Sequence, residues 1–296
     1  MNKHSLYRSK ITALLFILPT LIILTLFLYY PTIETFKMSM YRVAFLGLSK
    51  QFVGLENYRD IFLSAEYRKI FVNTGIFVLI SVVVSIVIGL FLAVLANQKL
   101  KGKSLFRILL IWPYSLPPAV AGVIFLFLFN EQSGMVNYLL KHLLDISPPW
   151  LSKSTLAMGV VITAFVWKMI GYNVVFYLAA LQNIPKEIIE AAKVEGASIL
   201  QTFFKVTLPM LSPITLFLIV TNTIAAFFES FTFIDLITKG GPSDSTTVII
   251  YSIYRDGFEY FKTGLAAAES VILFTCVVVL TLIQMKVSKR MVHYER

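Results

Sequence analysis

Residues 183–209 read NIPKEIIEAAKVEGASILQTFFKVTLP, a polar and helix-rich stretch set between two long apolar segments. Pro185 suits the first turn of a helix, Gly196 suits its end, and Ser198 followed by Gln201 has the spacing of a capping box for a second short helix. The pattern predicts helix, tight turn, helix, with a positive φ expected at Gly196. Ile188, Ala191 and Ala192 share a face of the first helix, and the two alanines are small enough to let a partner's surface approach the backbone closely. Glu190 and Glu195 border that face. Such a stretch reads as a docking element and not as an active site; an ordinary amphipathic connector is the competing reading.

Outward from this stretch the chain turns apolar. Hydrophobic residues make up 57% of the 296 residues and charged residues 14%. Mean hydropathy is +0.79, which excludes a water-soluble domain. Runs of bilayer-spanning length cover residues 11–30, 70–96, 105–129, 155–181, 211–234 and 265–285. The expectation is an all-α polytopic membrane protein with six transmembrane helices in one domain over residues 1–296. A signal peptide is a poor account of the first run, because Pro31 and Glu34 follow directly and no small-residue cleavage site is present.

An even number of spans puts both termini on one side. With the N-terminus inside, the internal segments hold Lys3, Arg8 and Lys10, then Lys99, Lys101, Lys103 and Arg107, then Lys186, Lys193 and Lys205, then Lys286, Lys289, Arg290 and Arg296. The external loops are longer yet carry basic residues at lower density, so both termini and the 183–209 stretch are expected in the cytoplasm. The net charge of +10 therefore reads as membrane orientation and not as nucleic-acid binding.

Catalytic signatures do not emerge. Gly102-Lys103-Ser104 imitates the end of a phosphate-binding loop, but Asn97 stands where another glycine is needed and an apolar helix replaces the preceding strand. His4, His142 and His293 are scattered, and the single cysteine, Cys276, lies in an apolar run. No metal and no resident cofactor are expected.

Polar residues inside the spans are more telling. Trp112-Pro113-Tyr114-Ser115-Leu116-Pro117-Pro118 must kink or unwind the third span, and the freed carbonyls point to a position beside protein or a water-filled path. Lys168 sits midway along the fourth span, where an ammonium costs about 2.5–3.5 kcal/mol unless it faces water or a partner. Tyr172 lies one turn away on the same face and Asn173 borders it. In the fifth span Asn222, Thr223, Ala226, Phe227, Glu229 and Ser230 form a polar and small patch. Helix packing is the ordinary role of such a patch. Helices reckoned straight place Lys168 and Glu229 on the order of 10 Å apart in depth, which makes direct pairing strained. Solute contact and a structural ion pair both stay open for Lys168.

The spacing Glu190-Ala191-Ala192, then Gly196 after three residues, then Val206-Thr207-Leu208-Pro209, resembles the EAA loop of bacterial ABC importer permeases. Val206 departs only mildly, since isoleucine is commoner there. Residues 51–58, QFVGLENY, are similar to a stretch of the sugar-permease branch, as are Lys239-Gly240-Gly241-Pro242, residues 246–251 and residues 254–258. Together with Ala226-Phe227-Phe228-Glu229-Ser230-Phe231, they are most similar to the glycerol-3-phosphate permeases of the maltose and sugar branch. The resemblance implies a type I ABC importer permease fold, with ATPase docking at Glu190, Ala191, Ala192, Gly196 and Ala197. It implies a solute pathway at Lys168, Tyr172, Asn173, Asn222, Thr223, Phe227, Glu229 and Ser230. Lys168, Tyr172, Thr223, Ala226, Phe227 and Ser230 match solute-contact positions of maltose-type permeases by ungapped register, although most side chains differ.

What the resemblance implies functionally is a multi-pass inner-membrane transport subunit, not an enzyme, for sn-glycerol 3-phosphate or a related carbohydrate. The implied partners are a second homologous permease, two ABC ATPase subunits that bind the ATP and magnesium, and an extracytoplasmic solute-binding protein. A permease for a neutral sugar is the alternative, and an ion-gradient-driven transporter the remote one.

Overall fold

The computed structural model describes residues 10–44, 49–98 and 102–291. Lys3, Arg8, Lys99, Lys101, Arg296, His4 and His293, on which part of the orientation and metal reasoning rests, lie outside the described residues. Four helices are long and apolar enough to cross a membrane, or six if each of two bent helix pairs is one span. The chain forms two compact units.

The first unit holds residues 1–63 and 253–272. Helix α1 (Lys10–Leu24) passes through a π-turn at Thr25–Tyr29 into α2 (Tyr30–Met38). The apolar helix therefore runs past the expected end at Tyr30. Pro31 does not stop it, because proline lies at the first turn of α2 and the π-turn absorbs its missing N–H, with Tyr30 N–H donating to the Thr25 carbonyl. The following segment, read from sequence as a loop, contains a hairpin of β1 (Tyr41–Ala44) and β2 (Ser49–Phe52), antiparallel, with Tyr41 opposite Phe52, and then α3 (Glu56–Leu63). The QFVGLENY stretch is its clamp. Gly54 adopts φ +58° and donates to the Met40 carbonyl. Buried Asn57 donates to the Ser39 and Tyr41 carbonyls at 2.8 and 3.1 Å, and Tyr58 shares a 2.7 Å hydrogen bond with Ser39. Gly264, at the start of the last helix, lies so close to the Tyr41 carbonyl that no Cβ fits.

The second unit holds residues 64–252 and 273–296. Helix α4 (Ala65–Ala96) is started by Ser64, whose hydroxyl accepts from Glu66 N–H. At its centre is α8 (Ser154–Gln182), with 56% of its apolar window buried against none for the first apolar helix. The two pack through a stripe of small residues four apart on α4: Ser81, Ser85, Gly89 and Ala93, all buried. A Cβ on Gly89 would sit 2.5 Å from Asn173 Cβ, so glycine sets how closely these helices approach.

The third apolar run is not one straight helix. Helices α5 (Lys103–Ser115) and α6 (Pro118–Leu128) meet at 100°, because Pro117 forces Leu116 extended (ψ 138°) and Pro118 starts a new helix. Gly171 of α8 presses on the Leu110 and Ile111 carbonyls, covering backbone near the break. Between α6 and α8 the connecting segment forms a further helix, α7 (Met135–Leu144). Asn137 anchors it, donating to the Glu131 and Pro148 carbonyls and accepting from Trp150 Nε1 at 2.8 Å. Glu131 closes the loop by accepting from Leu151 and Ser152 N–H at 3.1 and 2.7 Å.

Helix α9 (Lys186–Val194) follows α8, and α10 (Ile199–Thr202) runs through a π-turn (Phe203–Thr207) into α11 (Leu208–Met210). This arm meets α12 (Ser212–Phe228) at 63°, with Leu211 buried at the bend. The fifth span therefore ends earlier than expected: Glu229 separates α12 from α13 (Ser230–Ile237), which packs on α6 through Gly122. Residues 239–247 then fold back on α4. Asn73 donates to the Asp244 and Thr247 carbonyls, and Ile249 N–H donates to Thr74, at the start of α14 (Ile249–Tyr254). Gly240, at φ +81°, lies against Thr247 and Tyr251. The last helix, α15 (Thr263–Met291), exceeds the expected 265–285 at both ends.

Candidate functional site: a docking hairpin and a charged pair between the spans

The hairpin expected at 186–202 forms from local signals alone. Gly196 takes φ +83°, Ala197 N–H donates to the Ala192 carbonyl and Gly196 N–H to the Lys193 carbonyl, the two bonds of a Schellman motif. Nothing lies within 4 Å of a Cβ built on Gly196, so conformation and not space demands glycine. Two residues on, the Ser198 hydroxyl accepts from Gln201 N–H and the Gln201 side chain accepts from Ser198 N–H, completing the capping box.

The hairpin presents an uncovered apolar surface. Val194 is 89% exposed and Ile199 86%, with Ile188, Leu200 and Phe204 exposed as well. Ala191 is exposed beside them and Ala192 half-buried. Glu190 instead lies along a groove of about 730 Å³ behind the hairpin, with Lys186, Lys193, Ala197, Thr202 and the α4 end at Asn97 and Gln98. The five residues expected from sequence to dock thus divide. Ala191 and Ala192 belong to the helix surface, Gly196 and Ala197 form the turn, and Glu190 is placed to order charge in the groove.

The interior residues fall into three groups. Lys168, only 5% exposed, brings Nζ to 3.6 Å from Glu229 Oε2 and 5.1 Å from the centre of the Tyr114 ring. The pairing that straight helices would strain is therefore made, the two long side chains meeting where α12 ends at Phe228. Tyr172 packs its ring 5.2 Å from Tyr114 and 4.7 Å from Phe176.

A second group is a sealed knot. Asn173 and Asn222, both fully buried, exchange hydrogen bonds of 3.2 and 2.8 Å, and Ser85 of α4 donates to Asn222 Oδ1 at 3.1 Å. Their polar atoms face one another across three helices, which ties α4, α8 and α12 together in a buried network. Thr223 forms the third group: it accepts from Gln284 Nε2 of α15 at 3.1 Å and donates to the Ile219 carbonyl. Phe227 and Ser230 are buried, with Ser230 donating to the Phe227 carbonyl.

Sequence reasoning missed Ser85, Tyr114 as a partner of Lys168, and Gln284. The four-residue spacing of small residues in α4 was a signal for Ser85, and Tyr114 lay inside the proline-rich break already singled out. Among the described residues no three His, Cys, Asp or Glu side chains group so as to hold a metal ion.

Apolar spans broken by proline, an exposed and capped hairpin and a few polar residues between helices fit a membrane transport subunit. The family model described as "Binding-protein-dependent transport system inner membrane component" matches residues 85–293, and the chain belongs to that family of multi-pass inner-membrane permeases. It is 40% identical over 294 residues, 99% of either chain, to the sn-glycerol-3-phosphate transport system permease protein UgpA of Pectobacterium atrosepticum. It is 37% identical over 288 residues, 97% of this chain and 98% of the relative, to UgpA of Agrobacterium fabrum. Among solved structures, a bacterial alginate ABC transporter in complex with an alginate pentasaccharide-bound periplasmic protein superposes with a TM-score of 0.83 at 22% identity, covering 94% of either chain. The inward-facing MetNI methionine ABC transporter gives a TM-score of 0.55 at 16% identity, over 75% of this chain and 94% of that one. At such identities these structures speak for the fold, a type I ABC permease.

Proposed function

We propose that the chain is the permease subunit of an ATP-driven importer that takes up sn-glycerol 3-phosphate or a closely related phosphorylated carbohydrate. The observation that carries this reading is the exposed hairpin, rigidly capped at Gly196 and Ser198, running as one arm into α12 and so to the Lys168–Glu229 pair. A protein that took its energy from an ion gradient would need no such element. In this reading the 296 residues work as one permease domain with six spans and both termini in the cytoplasm. The hairpin seats on one of two ATPase subunits, which bind the ATP and magnesium. A second, homologous permease completes the path, and an extracytoplasmic binding protein delivers the solute. Lys168, Tyr172, Glu229, Thr223, Phe227 and Ser230 border the path, and Asn173 with Asn222 hold its wall in place. Support for the phosphate ester comes from the relatives' stated substrate together with Lys168.

A neutral sugar is the second reading, and one observation favours it: Glu229 already balances the Lys168 charge, leaving the pair neutral. Uptake of labelled sn-glycerol 3-phosphate and of a neutral disaccharide into proteoliposomes holding the assembled transporter, with and without enclosed ATP, decides. Phosphate-ester uptake that requires ATP supports the proposal. Uptake of the disaccharide alone, or uptake independent of ATP, overturns it.

A further inference from the structure

We infer that Glu229 is an internal counter-ion, standing on Lys168 in the place that the anionic headgroup of the solute takes during transport. The inference rests on the proposed phosphorylated solute. Three features of the pair argue for exchange and against a permanent bridge.

Lys168 Nζ, on a side chain more than nine-tenths buried, donates no hydrogen bond among the described residues; its neighbours are the Tyr114 ring face and one carboxylate oxygen at 3.6 Å. A charge-assisted N–H···O bond runs about 2.7–2.9 Å, so this ammonium keeps three unmet donors and a carboxylate that only touches it. Glu229 Oε2 is buried and likewise lacks a hydrogen bond, although the side chain as a whole is 41% exposed. The carboxylate therefore has one oxygen on the cation and an open side by which to leave. Finally, Glu229 stands between α12 and α13 with its N–H still bonded to the Ala225 carbonyl at 2.8 Å, so the carboxylate can leave by turning its own side chain and no helix need break.

A phosphate monoester offers three oxygens and nearly two charges, and can meet donors that Glu229 leaves unmet. The buried ammonium is never without an anion: the carboxylate holds it when the path is empty and retreats to its open side when solute arrives. Such an arrangement rejects uncharged analogues, which cannot displace the carboxylate, while sparing the empty permease an unpaired buried charge. Tyr114 keeps the ammonium in place through the exchange.

The test measures equilibrium binding of labelled sn-glycerol 3-phosphate, with glycerol as the uncharged probe, to the assembled transporter in nanodiscs. The forms compared are wild type, Glu229→Asp, Glu229→Gln and Asp235→Asn, the last removing a carboxylate six residues further on. Removing a competitor should tighten phosphate-ester binding in the order wild type, Glu229→Asp, Glu229→Gln, with a gain of about tenfold for Glu229→Gln, as for loss of about 1.4 kcal/mol of competition. Glycerol binding and Asp235→Asn should show no gain. If Glu229→Gln prevents assembly, Glu229→Asp decides alone, since its shorter arm must already bind more tightly than wild type. Equal or weaker binding in the Glu229 variants, with wild type still importing the phosphate ester, overturns the inference and leaves the proposed function standing. A wild type that does not import the phosphate ester overturns both.

Discussion

Replacing Gly196 isolates the conformational demand of the hairpin, because no atom lies within 4 Å of the place a Cβ would take and only the backbone angle objects. At φ +83° an L-residue costs about 1–2 kcal/mol, and a β-branched one more. If the turn yields instead, the two Schellman bonds from Gly196 and Ala197 are lost, at about 0.5–1.5 kcal/mol each. Either route puts Gly196→Val on the order of 2–3 kcal/mol above wild type, Gly196→Ala about 1 kcal/mol, and Gly196→Asn least, since asparagine tolerates the left-handed region. At about 1.4 kcal/mol per factor of ten, the population of the correctly turned hairpin falls by roughly thirtyfold to a little over a hundredfold in the valine variant. The assay is ATP-dependent uptake into proteoliposomes beside pull-down of the ATPase, at matched permease content. The ranking Gly, Asn, Ala, Val should hold in both. Wild-type uptake and pull-down in Gly196→Val would refute the argument that the left-handed turn positions the helices.

Gly89→Ala should lower the unfolding midpoint of the purified protein, since the new Cβ meets Asn173 Cβ at 2.5 Å and overpacking costs about 1–3 kcal/mol; an unchanged midpoint would show that α4 and α8 can part freely. Asn173→Leu and Asn222→Leu should each destabilise by about 1–2 kcal/mol, while the double variant loses less than their sum because no amide is left facing a leucine; strict additivity in thermal unfolding would deny the knot. Glu131 should make the loop between α7 and α8 acid-sensitive. Hydrogen bonding from Ser152, with the Leu151 N–H behind it, outweighs burial and holds its carboxyl below the usual carboxylate range. A depressed folded value means the stabilisation is complete above the ordinary carboxylate pKa and lost as pH falls through the folded one. Protease nicking near residues 150–152 should therefore rise in acid in wild type, and Glu131→Gln should be nicked already at neutral pH; identical profiles would separate Glu131 from the loop.

Legibility in the sequence followed the range of the interactions. The hairpin was readable in detail because Pro185, Gly196, Ser198 and Gln201 act over five residues or fewer, and such signals need no tertiary context. The break in the third span was readable for the same reason at Pro117 and Pro118. Lys168 stood out because an ammonium in an apolar run is costly wherever it points, but its 3.6 Å approach to Glu229 depends on how α8 and α12 pack, which local composition does not encode. Asn173 and Asn222 were seen as polar residues in two spans; that they face each other, with Ser85 as a third partner, is a matter of helix register. The β1–β2 hairpin and α7 escaped notice because both lie in connecting segments whose shape is set by side-chain clamps, Asn57 in one and Asn137 in the other, on carbonyls distant in sequence.

The bend at Leu211 gives the second unit a mechanical property as well as a shape. Residues Ile199–Met210 on one side and Ser212–Phe228 on the other are two rods of about 18 and 26 Å, reckoned at about 1.5 Å per residue, joined at a buried corner. Joined rods of this kind form a bell crank. A rotation of about 10° about the corner sweeps the hairpin end through roughly 3 Å and the Glu229 end through roughly 4.5 Å, by the same rise per residue. For the push proposed on the hairpin surface, the corner would redirect it toward the carboxylate that touches Lys168, with the Asn173–Asn222 bonds drawing α8 into the same movement.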